Sequence, residues 1–410
     1  MLKFDLIQTV ALAGVMLFVG YGLRRLLPPL SRYNVPAPVI GGLLVSLATL
    51  VTRGTEEPLL VLDSTLQTPL MVAFFTSVGF AASLSLLRRG GPQVLLFFTA
   101  ATAFAVTQNL LGGGLALAFG LDPLFGVLAG STTLTGGPAT GLAFAPFFEE
   151  AGVPGAATVA VAAAMMGIVM GGVIGGPIGT WLIERYHLRA ETGQLVRHSH
   201  LAATDVVESQ LPGGSTEPPP GEDRGSYLLL KNGVAILVAM WIGGWVSRGF
   251  GALGLTLPSY IGAMLVAAAI RNLDDRTRML GLSQQVIDDL GSASLSLFIV
   301  LALMTLQLWE IAALALPLIV ILVAQVGLIA LICRWPIFRL MGRDYESAVM
   351  SAGFCGFMLG TTANAMANME SLVERYGPAP RAFLVVPIVG AFFIDFTNAV
   401  IITIFLNLLG

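Results

Sequence analysis

The stretch Ser131–Gly141, "STTLTGGPATG", lies inside an apolar run and decides how the chain is read. Five of its eleven residues carry a hydroxyl and three are glycine. A continuous membrane helix has no use for so many backbone breakers beside so many small polar groups. The apolar pieces flanking Gly136-Gly137-Pro138 are roughly 10–14 residues long, and at 1.5 Å per residue each reaches about halfway across a hydrocarbon core of about 30 Å. The spacing predicts a re-entrant hairpin, entering and leaving on one side.

The rest of the chain supplies the membrane. Of its 410 residues, 56% are hydrophobic and only 11% charged, with a mean hydropathy of +0.84. Soluble domains carry about 25% charge. Apolar runs long enough to span a bilayer recur six times before a polar gap and six times after it. The first 23 residues run into Arg24 and Arg25 without a small-x-small cleavage site, and read as a retained span rather than a signal peptide. The gap contains His187, His198, His200 and the run "LPGGSTEPPPGEDRG", a composition expected of a flexible linker. Cys333 and Cys355 stand at no metal-ligand spacing and read as packing residues.

The two halves echo each other. "IGGLLVSL" at 40–47 answers "IGAMLVAA" at 261–268, and Gly130 and Gly137 answer Gly353 and Gly360 at the same interval. The fifth segment of the second half is broken at "LGTTANAMAN", as the first is at "TGGPATG". With both fifth segments re-entrant, each half crosses five times, so the second half inserts upside down relative to the first. The expected fold is an all-α polytopic membrane protein of two inverted-topology repeats, each of five transmembrane helices and one re-entrant or broken hairpin. Residues 1–185 form the first repeat, with its hairpin at about 122–150. Residues 186–226 are the linker, and 227–410 the second repeat, with its hairpin at about 344–375. Inverted repeats with broken helices are the architecture of secondary transporters.

Charge placement agrees. With both termini outside and the linker cytoplasmic, only Lys3, Arg53 and Arg248 lie outside, leaving eighteen of the 21 basic residues on the cytoplasmic side. If the fifth segments cross instead, that bias collapses.

An irregular backbone inside a membrane must be sheltered by protein or a water-filled cavity. Pro138 suits the first turn of a new helix, and Thr361, Thr362 and Asn364 suit caps. Each tip then offers the free carbonyls of an arriving half-helix and the free amides of a departing one. Amides suit a carboxylate, and carbonyls and hydroxyls suit Na⁺. Candidate substrate-binding residues are Thr135, Gly136, Gly137, Thr140, Gly360, Thr361, Thr362, Asn364 and Asn368. Candidate Na⁺ ligands are Ser131, Thr132, Asp395 and Asn398; Asp395 is the one carboxylate well inside a span, with Asn398 on its helix face. A structural acid is the alternative for Asp395. Gln108 and Asn109 read as helix-to-helix bonds, and "GGG" (112–114) and "GGVIGG" (171–176) as close-packing stripes. No Lys or Arg sits at mid-span, so helix N-termini and co-bound cations must supply the positive field for an anion. The chain has no His-Glu-x-x-His and no Gly-x-x-x-x-Gly-Lys-Ser/Thr, which argues against a metalloprotease or an ATP-driven pump. No organic cofactor and no nucleic-acid partner is expected.

The segments "VLAGSTTLTGG", "PAPVIGGLLV", "SLSLFIVLALMTLQLWE", "YESAVMSAGFCGFMLG" and "ANAMANMESLVERYGPAPRAFLVVPIVGAFFID" resemble the bacterial sodium/glutamate symporter family, over nearly the whole chain outside the linker. Where that family's first hairpin reads Gly-Gly-His-Gly-Thr-Gly, this chain has Gly136-Gly137-Pro138-Ala139-Thr140-Gly141. The resemblance implies a multi-pass protein of the bacterial inner membrane that takes up L-glutamate with Na⁺, forms a homodimer and works by an elevator motion. Alternatives are a sodium- or proton-coupled transporter of another small carboxylate, and a non-transporting receptor or channel on the same fold.

Overall fold

A computed structural model describes residues 2–51, 60–84, 91–189, 223–252, 258–306 and 314–410. Most of the expected linker, with His198 and His200, lies outside the described residues. The regular structure among the described residues is helical, apart from one parallel two-residue pairing of β1 (Leu2–Lys3) with β2 (Leu60–Val61). In chain order the first helices are α1 (Leu6–Leu26), α2 (Ala37–Val51), α3 (Gln67–Ala81), α4 (Gly91–Ala118), α5 (Pro123–Val127), α6 (Gly137–Glu150) and α7 (Ala156–Arg185). Then come α8 (Arg224–Ala252), α9 (Ser259–Thr277), α10 (Gln284–Met304), α11 (Ala315–Ile332), α12 (Tyr345–Met358), α13 (Thr362–Tyr376), α14 (Pro380–Ile388) and α15 (Ile394–Leu409). Among the described residues, six helices are long and apolar enough to cross a membrane: α1, α4, α7, α8, α10, and α11 with its continuation to Leu340.

Two groups of helices pack through different chemistry. In the first group (α1, α2, α3, α8, α9 and α10), backbones meet at glycines. A Cβ on Gly20 would stand 2.1 Å from the Ala37 carbonyl oxygen, and one on Gly243 would stand 2.2 Å from Ala263 Cα. Small residues permit this approach, and van der Waals contact is what holds helices together in lipid. The Ser46 hydroxyl donates to the Leu303 carbonyl, tying α2 to α10. At one end of this group, Ser83 donates to Asp275, and Asp275 pairs with Arg271 at 3.0 Å.

The second group (α4–α7 and α11–α15) surrounds the two interrupted segments. The segment α12–α13 folds back on itself. The Tyr345 hydroxyl donates to the Gly377 carbonyl at its base, and Gly353 packs on Met369 midway. Its base is clamped from α14 by Arg381, which pairs with Asp344. Burial raises the Asp344 carboxyl, but hydrogen bonds from Ser347 and the Arg381 guanidinium outweigh it and hold it below the usual carboxylate range. The segment α5–α6 also returns to its starting level, since Leu124 and Ala151 both pack against Gly410. The chain from α14 to α15 therefore runs from the base of one hairpin, at Arg381, to the base of the other, at Gly410. The first hairpin rests on α4 through Gly126, whose Cβ position lies 2.0 Å from the Gly112 backbone. The close-packing reading of 112–114 holds at that contact. The "GGVIGG" stretch does the same for the second hairpin, with Gly175 against Asn368.

Replacing Gly126 by Val should force α5 off α4. Overpacking of this kind costs about 1–3 kcal/mol, and more where backbone is the obstacle. The expected result is a lower melting temperature in detergent, against no change for Gly114→Ala, whose Cβ position meets nothing within 4 Å.

Candidate functional site

The site is made by two breaks in helical backbone. From Val127 the first segment continues as a widened helical turn over Leu128–Thr132, broken at Gly130, whose φ of −98° and ψ of −129° are not helical. Gly137 then takes a left-handed φ of +66°, and Pro138 fills the first turn of α6, where its missing N–H costs nothing. The second break follows Met358. Thr361 is extended and caps α13, its hydroxyl accepting from the Asn364 amide at 3.3 Å. Thr362 donates to the Gly390 carbonyl at 2.9 Å. The two tips abut, with the Cβ position of Gly137 only 3.3 Å from the Gly360 carbonyl oxygen.

Freed backbone groups in an apolar interior must find partners. Gln108 and Asn109 on α4 provide them. Gln108 Nε2 donates to the Met358 carbonyl at 3.1 Å, the end of the arriving half-helix α12. Its Oε1 accepts from the Thr135 hydroxyl at 2.6 Å. One side chain thus joins both tips. Asn109 Oδ1 accepts from the Ser131 amide at 2.9 Å, just after the break at Gly130. Gln325 on α11 donates to the Gln108 carbonyl at 2.7 Å. All three side chains are fully buried.

On one side of the tips lies a cavity of about 380 Å³. Its walls are Thr135 through Ala139 of the first tip, Gly360 through Thr362 of the second, Gly390 and Asp395. The opposing wall comes from the other helix group: Tyr21 and Arg24 of α1, Pro36–Pro38, and Leu295, Ser296 and Ile299 of α10. Among the described residues, Asp395 is the only acid and Arg24 the only Lys or Arg lining it. Its recognition chemistry is a pair of helix N-termini, one carboxylate and one guanidinium.

Behind the first tip is a second constellation. Asn398 on α15 donates through Nδ2 to the Ser131 carbonyl at 2.9 Å. Among the described residues, Asn398 Oδ1, Ser131 Oγ, Thr132 Oγ1 and Gln325 Oε1 are buried oxygens with no hydrogen-bond partner. Buried polar atoms are almost always satisfied, and leaving one unpaired costs about 1–3 kcal/mol. Four neutral oxygens on three elements, gathered about one break, have the chemistry of a site for a hard monovalent cation.

The expected site residues therefore divide. Thr135, Gly136, Gly137, Gly360, Thr361 and Thr362 line the cavity. Ser131, Thr132 and Asn398 are brought together behind it, and Asp395, one turn before Asn398 on α15, lines the cavity. Thr140, Asn364 and Asn368 do not line the cavity. Thr140 packs beneath Gly136, and the two amides donate to α7, Asn364 to the Ile168 carbonyl at 2.7 Å and Asn368 to the Gly171 carbonyl at 2.9 Å, while Asn364 Oδ1 is a buried oxygen with no hydrogen-bond partner among the described residues. Arg24 is not at mid-span, but from the last turn of α1 it lines the same cavity as the tips, so the positive field there need not come from helix N-termini and cations alone. Gln325 went unread, although a lone amide in the apolar run 315–332 is a signal of its own.

A family model described as Sodium/glutamate symporter matches residues 2–378. A curated protein named Sodium/glutamate symporter from Escherichia coli (strain K12) is 38% identical over 409 residues, covering 100% of this chain and 99% of the relative. Another of that name, from Haemophilus influenzae, is 36% identical over 402 residues, covering 98% and 97%. Among solved structures, the sodium proton antiporter MjNhaP1 from Methanocaldococcus jannaschii aligns with a TM-score of 0.45 at 14% identity, over 99% of this chain and 98% of that one.

Gln108→Leu should strand both the Met358 carbonyl and the Thr135 hydroxyl. Each unpaired buried group costs about 1–3 kcal/mol. The melting temperature in detergent should fall by several degrees, while Thr99→Val, at an exposed hydroxyl bonded only within its own helix, should leave it unchanged.

Proposed function

The chain belongs to the sodium/glutamate symporter family, and on that premise we propose that it carries L-glutamate across the membrane coupled to Na⁺. The observation that carries this reading is the meeting of the two tips, Gly137 against Gly360, with a cavity before them and four unpaired oxygens behind. The substrate's α-carboxylate binds the free amides at the start of α6 and α13, where the helix dipoles favour an anion. Asp395 meets the α-ammonium. Na⁺ sits among Ser131, Thr132, Gln325 and Asn398. Gln108 and Asn109 hold the first tip to the second and both to α4, so that ion and substrate act on one rigid unit.

We assign the movement to the boundary between the helix groups. There the contact is apolar: Leu142 and Val161 of the hairpin group meet Val39, Ile299, Ala302 and Leu303 of the other. An apolar surface such as this one slides at low cost, which supports an elevator motion of the hairpin group. Opposite placement of the hairpin bases, one beside Gly410 and one beside Arg381, supports two inverted repeats. By the charge bias, Arg24 and the 186–226 linker are cytoplasmic and both termini outside, in the bacterial inner membrane. The functional unit is a homodimer.

Purified protein in liposomes tests the reading. Glutamate should accumulate against its gradient only when Na⁺ is imposed on the uptake side; accumulation indifferent to Na⁺ would overturn it. Asn398→Ala and Thr132→Val should each raise the Na⁺ concentration for half-maximal uptake several-fold, with KM for glutamate at saturating Na⁺ little changed. Asp395→Asn should do the reverse, raising glutamate KM about ten- to hundredfold, the loss of one charge-assisted contact of about 1.5–3 kcal/mol. A Na⁺ requirement untouched by both Asn398→Ala and Thr132→Val would remove the cluster from the coupling site.

A further inference from the structure

A further space adjoins the cavity at the tips on the α1 side. A second cavity, of about 630 Å³, is lined by Tyr21, Arg24, Arg25, Pro28, Ser31 and Arg32. Tyr21 and Arg24 line both. The outer space thus carries three guanidinium groups, and Arg24 stands at the neck between it and the tips. Among the described residues, none of the three pairs with a carboxylate.

Arginines at the end of a membrane helix ordinarily anchor it at the headgroups. That reading suits Arg25 and Arg32, which are exposed. It does not account for Arg24, which is half-buried and faces the wall formed by Thr135–Ala139 and Gly360–Thr362. Nor does structural pairing, since no acid within its own helix group holds it.

Glutamate brings two carboxylates and one ammonium to the cavity. The tips offer amides to one carboxylate, and Asp395 offers an anion to the ammonium. The second carboxylate needs a donor, and the cavity contains one further charged donor. We propose that Arg24 receives the substrate's side-chain carboxylate and thereby distinguishes glutamate from its neutral amide. This rests on the symport reading above. A guanidinium binds a carboxylate through two parallel N–H···O bonds, a geometry that a carboxamide cannot match.

Arg24 also belongs to the other body. Its helix packs on α2 through Gly20 and Gly41, not on the hairpins. Its contact with substrate therefore exists only when the hairpin group stands as it does here, open past Arg24. The grip acts from one face of the membrane. It draws the anion in from, or holds it back from, the side bearing Arg24, Arg25 and Arg32, and is absent once the core has moved away.

The test is kinetic asymmetry in proteoliposomes of defined orientation. Arg24→Gln should raise KM for glutamate about tenfold on the Arg24 face, a change equivalent to about 1.4 kcal/mol. On the opposite face KM should stay within about twofold, because the contact is not made there. Preference for glutamate over glutamine on the Arg24 face should fall with it, and Arg25→Gln should change neither. Equal effects on both faces, or no effect on either, would overturn the assignment. If Arg24→Gln does not reconstitute, Arg24→Lys carries the test: charge without the fork should give a several-fold rise confined to the same face, and an unchanged KM there overturns it. Failure of the wild-type chain to transport glutamate at all is a different result, and strikes the symport reading instead.

Discussion

An interrupted backbone inside an apolar bundle must have every freed amide and carbonyl answered, and that constraint organises the rest of the protein. Each tip releases several such groups where no water waits to receive them. Met358 gives its carbonyl to Gln108, and Ser131 gives its amide to Asn109. Asn364 and Asn368 reach across to the carbonyls of α7. These amide side chains are costly in an apolar setting unless paired. Their presence is explained by the breaks they serve, and the breaks by the ligands that exposed backbone can hold.

The fold was legible because its signals are long and redundant. Apolar runs of spanning length mark the helices, and a run split by Gly136-Gly137-Pro138 cannot be one of them. Pro138 and Thr361 fall where cap chemistry puts them, and Gly112 finds the backbone contact its size invites. The site was legible only in outline. Asn364 and Asn368 carry the chemistry of ligands, and nothing local in their sequence says that their amide nitrogens donate to Ile168 and Gly171 of α7. Arg24 reads as an anchor at a helix end, because its distance from Thr135 and Gly360 in the chain hides their shared cavity. Long-range placement, not residue chemistry, was the missing information.

The two helix groups differ in what joins them internally and in what lies between them. Within the hairpin group, buried hydrogen bonds link α4, α7 and α15 to the interrupted segments and α11 to α4. Within the other, α1 to α2 and α8 to α9 are joined by close glycine contacts. Between them lies an apolar seam of Leu142, Val161, Ile299 and Leu303. Directional bonds lock a body; an apolar seam leaves it free to shift along the interface. The cavity opens at this boundary, so its wall is half tip and half counter-surface.

The oxygen cluster behind the first tip has one further consequence. Ser131, Thr132, Gln325 and Asn398 contribute no formal charge. A cation held among them would not be neutralised by the cage itself. Its field would fall on the tip a few residues away and add to the partial positive ends of α6 and α13. On the proposed symport reading, an anion at the tips is then held better once the cation has arrived. It also means that the cage itself carries no charge when empty, so whatever the membrane potential does to that cage, it does only to the loaded carrier.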